Sequence, residues 1–178
     1  RRYQQKEWRK KIGLVLQDIH LFPGSLEDNL KVLREEIPRE AMDRALGVVQ
    51  AEMMVERLPD GYGTELSEGG ANLSMGERQL LCFARAIVDD PDILILDEAT
   101  SSVDPATERR LQDSLDHLLE GRTSLIVAHR LSTIKSVDRI LVMHEGRLVE
   151  EGSHDELYAK GGVYRDLFDL QFAAQEAV

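Results

Sequence analysis

Short uninterrupted apolar runs alternate with helical apolar periodicity along this chain. The runs at residues 12–16, 93–96 and 124–127 predict strands, and the continuous runs at 93–96 and 124–127 are typical of parallel strands buried on both faces. A helical pattern over residues 105–119 separates the last two runs. Together these elements form a predicted β-α-β unit, which implies an α/β fold with a parallel sheet.

Before this unit the pattern is mostly helical. One helix is expected to begin at Arg39, because proline at position 38 suits a helix start. A second amphipathic helix is indicated by apolar residues that repeat at helical spacing between positions 80 and 88. Residues 58–72 are rich in glycine and polar side chains and predict a loop between the two helices.

After the β-α-β unit the pattern is mixed. Residues 139–143 and 147–151 flank His144, Glu145 and Gly146, and this arrangement predicts a hairpin. Two further helices are expected near residues 155–160 and 163–172.

Composition and charge argue against several classes of protein. The 178 residues carry a formal net charge of -11 and show no basic stripe, which argues against nucleic acid as a partner. The single cysteine, Cys82, excludes an intramolecular disulfide, and no apolar run approaches the roughly 18 residues of a membrane span.

Ionisable side chains follow two of the predicted strands directly. Asp97 and Glu98 follow the run at residues 93–96, and His129 follows the run at residues 124–127. Parallel strands end at one sheet edge, where α/β proteins bind ligands, so these groups are expected to meet in one cleft. There one carboxylate can hold Mg²⁺ and the next can polarise a water for nucleotide hydrolysis, although a simple helix cap is an equally good reading of the pair alone.

Residues 74–77 form an S-x-x-E capping box at the start of the second helix. A helix N-terminus can bind a phosphate, and Gly76 would let a ligand approach the backbone closely. Capping alone is the simpler reading, because Ser153 begins a second S-x-x-E box with no sign of a ligand.

Two further polar residues, each taken alone, have an ordinary structural explanation. Asp104 before Pro105 is a good N-cap, and Gln17 after the first strand could be any surface amide. No glycine is followed by lysine, so the chain contains no G-x-x-x-x-G-K-[S/T] phosphate-binding loop.

Taken together, five segments resemble the motifs of ABC (ATP-binding cassette) ATPases, in family order and with family-like spacing. They are VLQD at 15–18 (Q-loop), LSMGE at 73–77 (signature), ILILDE at 93–98 (Walker B and the adjoining glutamate), SSVD at 101–104 (D-loop) and AHR at 128–130 (switch histidine). The resemblance covers essentially the whole chain and implies ATP and Mg²⁺ as cofactors.

The resemblance assigns roles to particular residues. Asp97 supports Mg²⁺, Glu98 is the general base, and His129 contacts the γ-phosphate. Gln17 reaches towards Mg²⁺ and the attacking water, and links the site to the membrane domain. A second set, contributed to ATP held by a partner domain, consists of Ser74, Gly76 and Glu77 of the signature and Asp104 of the D-loop.

The resemblance also predicts the architecture. It implies the C-terminal half of a P-loop NTPase (RecA-like) parallel-sheet core plus the ABC α-helical subdomain, on a chain that we expect to lack the Walker A segment of a longer polypeptide. The expected divisions are 1–16, the last strand region before the Q-loop; 17–90, the Q-loop and helical subdomain; and 91–178, the C-terminal part of the core.

Further segments resemble the exporter branch of the family. They are residues 21–30, which would dock on the transmembrane domain, residues 64–70 before the signature, and residues 151–157 near the end; Ser67 stands where that loop usually has glycine. The expected partners are therefore a second nucleotide-binding domain and a transmembrane domain, at the cytoplasmic face of the membrane. A soluble ABC ATPase acting in translation or DNA repair and a catalytically silent interaction module are the alternatives.

Overall fold

The computed structural model describes residues 4–32, 34, 36–97, 105–128 and 131–172. The chain divides into two compact units, Arg1–Val127 and Ala128–Val178. The N-terminal unit contains, in chain order, α1 (Gln5–Lys10), β1 (Ile12–Val15), β2 (Gly24–Ser25), α2 (Leu26–Lys31), α3 (Arg39–Val48), α4 (Glu52–Arg57), β3 (Glu65–Leu66), α5 (Met75–Ile87), β4 (Ile93–Asp97), α6 (Pro105–Leu119) and β5 (Thr123–Val127). The C-terminal unit contains α7 (Leu131–Ser136), β6 (Ile140–His144), β7 (Arg147–Gly152), α8 (His154–Lys160) and α9 (Val163–Phe172).

The predicted β-α-β unit is confirmed as β4, α6 and β5. These strands form a parallel sheet in the order β1-β4-β5, in which Val15 pairs with Leu96 and Asp97 pairs with Val127. The carboxyl ends of all three strands therefore lie at one edge. The predicted hairpin is also confirmed, since β6 and β7 pair antiparallel.

The expectation that β4 and β5 are buried on both faces is wrong for the described chain. Leu94 and Leu96 are 0% and 3% exposed, on the face covered by the helical core of this unit. The opposite face leaves Leu14, Leu125 and Val127 each more than half exposed. Because strand side chains alternate between faces, the same apolar runs place alternate residues on the covered and the uncovered side.

The helical region packs closely on the buried face. Leu81 of α5 is fully buried beside Met42 and Leu46 of α3, and burial of one such side chain contributes about 1.5–3 kcal/mol. Gly13 lets β1 approach α5, because a β-carbon at this position would overlap the carbonyl oxygen of Ala86. The sheet and the helical region thus share one core.

The residues expected to form a loop before the signature contain short ordered pieces. Glu65–Leu66 pairs antiparallel with Gly24–Ser25, and single 3₁₀ turns occur at Gly61–Gly63 and Glu68–Gly70. This small bridge ties the loop to the segment that follows β1.

The C-terminal unit has its own small core. Val142, Leu157, Tyr164 and Phe168 are all buried and pack together. Glu150 is also buried; its carboxylate accepts the backbone N–H of Tyr164 at 2.8 Å and lies 3.3 Å from Lys160 Nζ. The hairpin is therefore joined to the start of α9 by a charged side chain as well as by apolar contacts.

Candidate functional site

Two of the predicted site residues lie at or just after the carboxyl ends of the parallel strands β1 and β4. Val15 and Leu96 are the last pair of β1 and β4; Asp97 is the final residue of β4, and Gln17 lies in the chain two residues after the end of β1. Gln17 is exposed and Asp97 is half-buried. Glu98, Asp104 and His129 are outside the described residues, and their predicted roles stay predictions.

The donor groups at this edge suit Mg²⁺. The carboxylate of Asp97 and the side-chain amide of Gln17 both present oxygen atoms, which Mg²⁺ prefers, usually together with substrate phosphates and waters. These two side chains are therefore of the right chemistry to hold the ion beside a nucleotide.

The predicted capping box at the start of α5 is confirmed. The Ser74 hydroxyl accepts the backbone N–H of Glu77 at 3.2 Å, and the Glu77 carboxylate accepts the backbone N–H of Ser74 at 2.9 Å. Ser74 is exposed, so its hydroxyl and the adjacent helix N-terminus face solvent. An anion there would meet the partial positive charge of the helix end.

Glu77 has a second partner that the sequence did not indicate. Arg57 Nη2, at the end of α4, donates to Glu77 Oε1 at 2.6 Å. Partial burial by itself would raise the pKa of Glu77, but the hydrogen bonds from Ser74 and the charge of Arg57 outweigh it, so the pKa is lowered. Glu77 is thus ionised, and its side chain links the end of α4 to the first turn of α5.

Gly76 is packed against α6. It is buried, and a β-carbon at this position would lie 2.5 Å from Thr107 Cγ2 of α6. The described structure therefore gives a packing reason for glycine at position 76, besides the predicted close approach of a ligand.

A buried asparagine orders the segment after β1. Asn29 is fully buried; its Oδ1 accepts the N–H of Phe22 at 2.8 Å, and its Nδ2 donates to the carbonyls of Phe22 and Ser25 at 2.9 and 3.0 Å. Phe22 itself remains 49% exposed. The sequence gives one indication of this role of Asn29: its amide side chain stands among the apolar positions of a short helical pattern.

Arg85 joins the same segment to α5. Its Nη1 donates to the carbonyl of His20 at 2.8 Å, and its guanidinium lies 5.4 Å from the ring centroid of Phe22. Nothing in the local sequence indicates this contact, because the two groups are 65 residues apart. The segment that begins at Gln17 is therefore anchored on the signature helix.

Comparison with known proteins identifies the family. The family profile described as "ABC transporter" matches residues 1–101, more than half of the chain. The chain belongs to the ABC transporter family. The predicted family is thereby confirmed.

Relatives of this ABC transporter chain include exporter proteins. The ABC transporter ATP-binding protein YfiC of Bacillus subtilis (strain 168) is 46% identical over 92% of this chain and 27% of its own length. The ATP-dependent lipid A-core flippase of Chromobacterium violaceum is 44% identical over 97% of this chain and 30% of its own length. The chain thus spans less than a third of the length of these relatives.

A solved structure confirms the fold class. A bacterial Atm1-family ABC exporter with ATP bound superimposes with a TM-score of 0.79 and 38% identity, over 92% of this chain and 29% of that chain. The mixed α/β architecture with a parallel sheet is therefore that of an ABC ATPase domain. Within the described residues of our chain, no helix is both long enough and apolar enough to cross a membrane.

Proposed function

We propose that this chain is the signature-bearing part of the ATP-hydrolysing subunit of an ABC exporter, and that in a longer polypeptide it couples ATP binding and hydrolysis to transport across a membrane. The observation that supports the proposal is the parallel pairing of β1 with β4 in a chain of this family, with Asp97 as the last residue of β4 and Gln17 two residues after the end of β1.

In this proposal the sheet edge forms one half of an ATP site. Asp97 and Gln17 would hold Mg²⁺, directly or through water, and the ion would supply positive charge beside the phosphate oxygens. Glu98, next to Asp97, accepts a proton from the attacking water, and His129 donates to the γ-phosphate. Each role follows from position in the motif and from the hydrolytic chemistry.

The other half of each site comes from a partner domain. Ser74 and the first turn of α5, with Glu77 keeping that turn in place, face the γ-phosphate of ATP bound to the second nucleotide-binding domain; Gly76 and Asp104 belong to the same surface. The exposed hydroxyl of Ser74 at a helix N-terminus supports this assignment. Two domains arranged head to tail would then enclose two ATP molecules.

The segment after Gln17 would contact the transmembrane domain. Its exposed aromatic Phe22 is held in place by Asn29 and Arg85, so it can act as a rigid contact rather than a loose loop. In this proposal the domain lies at the cytoplasmic face of the membrane. The divisions at 16/17 and 90/91 stay predictions.

Substitution of Glu98 by glutamine in the longer polypeptide tests the hydrolytic role. Loss of a general base lowers turnover by about 10²–10⁴-fold, whereas ATP binding should be unchanged because the side-chain shape is retained. Radiolabelled phosphate release and equilibrium ATP binding are the two measurements. Glu120→Gln, at an exposed position near the end of α6, is the control and should leave both unchanged. Unaltered turnover in Glu98→Gln would mean that Glu98 is only a structural cap.

A further inference from the structure

The first turns of α5 and α6 meet at Gly76 and Thr107. A β-carbon at Gly76 would lie 2.5 Å from Thr107 Cγ2, whereas carbon atoms in favourable contact are about 3.5–4.0 Å apart. Position 76 therefore has no room for a side chain unless Thr107 or the start of α6 moves.

Among the described residues, the Thr107 methyl group is what fills this space. The next nearest atom to the same β-carbon is Thr107 Cβ at 3.9 Å, which is an ordinary contact. Because threonine is β-branched and has few rotamers in a helix, its methyl has little freedom to move aside. Removal of that methyl would leave room for an alanine at position 76.

We propose that Thr107 is a positioning residue for the phosphate-facing end of α5, and that its methyl group is what requires glycine at position 76. This inference rests on the proposed function, in which Ser74 faces the γ-phosphate. Ser74 lies two residues before Gly76, at the cap of the same turn. A displacement at the contact therefore shifts the Ser74 hydroxyl relative to the nucleotide.

The alternative explanation, that glycine is needed at position 76 only for the approach of a ligand, predicts a different result. If glycine is present only because the phosphate approaches the backbone, a methyl group on residue 76 blocks the nucleotide whatever stands at position 107. If Thr107 requires the glycine, a smaller residue at position 107 restores function. A paired substitution separates the two explanations.

The experiment compares Gly76→Ala, Thr107→Ser and the double variant in the longer polypeptide. Serine keeps the hydroxyl of Thr107 and removes only the methyl. Because a displacement of about 1 Å in a reacting site can lower the rate by about 10²-fold, we expect Gly76→Ala to lower kcat/KM for ATP at least about tenfold, and the double variant to return to within about threefold of the parent. Gly63→Ala is the control, since its β-carbon would lie 3.9 Å from Asp60 Cβ.

Two measurements distinguish misplacement of Ser74 from a loss of folded protein. Misplacement of Ser74 raises the KM for ATP, whereas simple loss of folded protein lowers kcat at unchanged KM. Hydrogen exchange of the peptide covering residues 73–80, measured without nucleotide, should be faster in Gly76→Ala and return to the parent rate in the double variant. This second readout does not depend on catalysis.

The outcomes are distinct. A double variant as impaired as Gly76→Ala, or a Gly76→Ala variant with parental KM and exchange rate, overturns the inference and leaves the proposed function standing. A parent polypeptide that hydrolyses no ATP contradicts the proposed function itself. In that case the positioning role at the ATP site falls with it, and the exchange measurements still decide whether Thr107 requires the glycine.

Discussion

At the start of α5, the Ser74 hydroxyl accepts the backbone N–H of Glu77 at 3.2 Å, and the Glu77 carboxylate accepts the backbone N–H of Ser74 at 2.9 Å. Ser153 and Glu156 form the same reciprocal pair at the start of α8, at 3.4 Å and 2.8 Å. The two boxes are alike in local geometry, and only the first belongs to the signature. The chain therefore contains an internal control for the role of Ser74.

We expect Ser74→Ala and Ser153→Ala to destabilise the protein similarly. Loss of an N-cap hydroxyl costs about 1 kcal/mol, so the free energy of unfolding should fall by about that amount for Ser74→Ala and comparably for Ser153→Ala. Urea unfolding measures the stability, and ATP hydrolysis by the longer polypeptide measures function. Only the Ser74 variant should lose activity at temperatures well below melting; equal losses of activity in both variants would indicate capping alone.

The shared-site role of Ser74 should appear in mixed dimers. Ser74→Arg, which adds bulk and charge, is combined with substitution of the P-loop lysine of the longer polypeptide, either in one subunit or in opposite subunits. If Ser74 acts on ATP held by the partner, both sites are damaged in the first arrangement and one stays intact in the second. Nucleotide occupancy should therefore be higher in the second arrangement, and equal occupancy would reject the shared site.

The 178-residue chain by itself should bind Mg-ATP weakly and should not hydrolyse it. The chain contains no G-x-x-x-x-G-K-[S/T] motif, whose backbone amides and lysine make most phosphate contacts in this class of ATPase. Calorimetry and a phosphate-release assay are the measurements, with the longer polypeptide as the positive control. Micromolar affinity or steady turnover by the short chain would refute this expectation.

Glu150 should make the stability of the C-terminal unit depend on pH. The N–H of Tyr164, and then Lys160, hold the pKa of Glu150 below its ordinary value of 4.5. Because the folded-state pKa is the lower one, the ionised carboxylate stabilises the fold above pH 4.5, and this contribution is lost as the pH falls through the folded-state pKa.

The measurement is thermal unfolding against pH for the parent chain and Glu150→Gln, which keeps an acceptor oxygen but no charge. The parent should be the more stable at neutral pH, and the difference should shrink on acidification. Glu145→Gln in the exposed hairpin turn is the control. A difference between parent and Glu150→Gln that is constant with pH would show that the charge is irrelevant.

Gly162→Ala should destabilise the C-terminal unit. A β-carbon at position 162 would overlap the carboxylate of Glu150, which is held by Tyr164 and cannot move without breaking that bond. We expect a lower midpoint of thermal unfolding, measured by circular dichroism. Adding Glu150→Ala to Gly162→Ala removes the obstruction, so the two losses should not add; additive losses would place the strain elsewhere.

Much of the fold could be predicted because the responsible forces act over a few residues. Helical periodicity predicted α5 and α6, Pro38 marked the start of α3, and continuous apolar runs predicted β4 and β5. Capping boxes are local too, since the paired residues are three apart. Asp97 was likewise predicted from a strand end, because parallel strands bring their carboxyl ends to one side, whereas Gln17 was singled out only by its place in the Q-loop motif.

The contacts between distant residues were decided only by the tertiary structure. Arg57 pairs with Glu77 across 20 residues and Arg85 reaches the His20 carbonyl across 65, and no local pattern records such partners. The two-residue strands β2 and β3 are too short to show periodicity, and the uncovered side of the sheet depends on which helices pack where. The sequence by itself determined the elements, the motifs and their order, because these depend on near neighbours. The close approach of Thr107 to Gly76 depends instead on how α5 and α6 pack, so only the tertiary structure decided it.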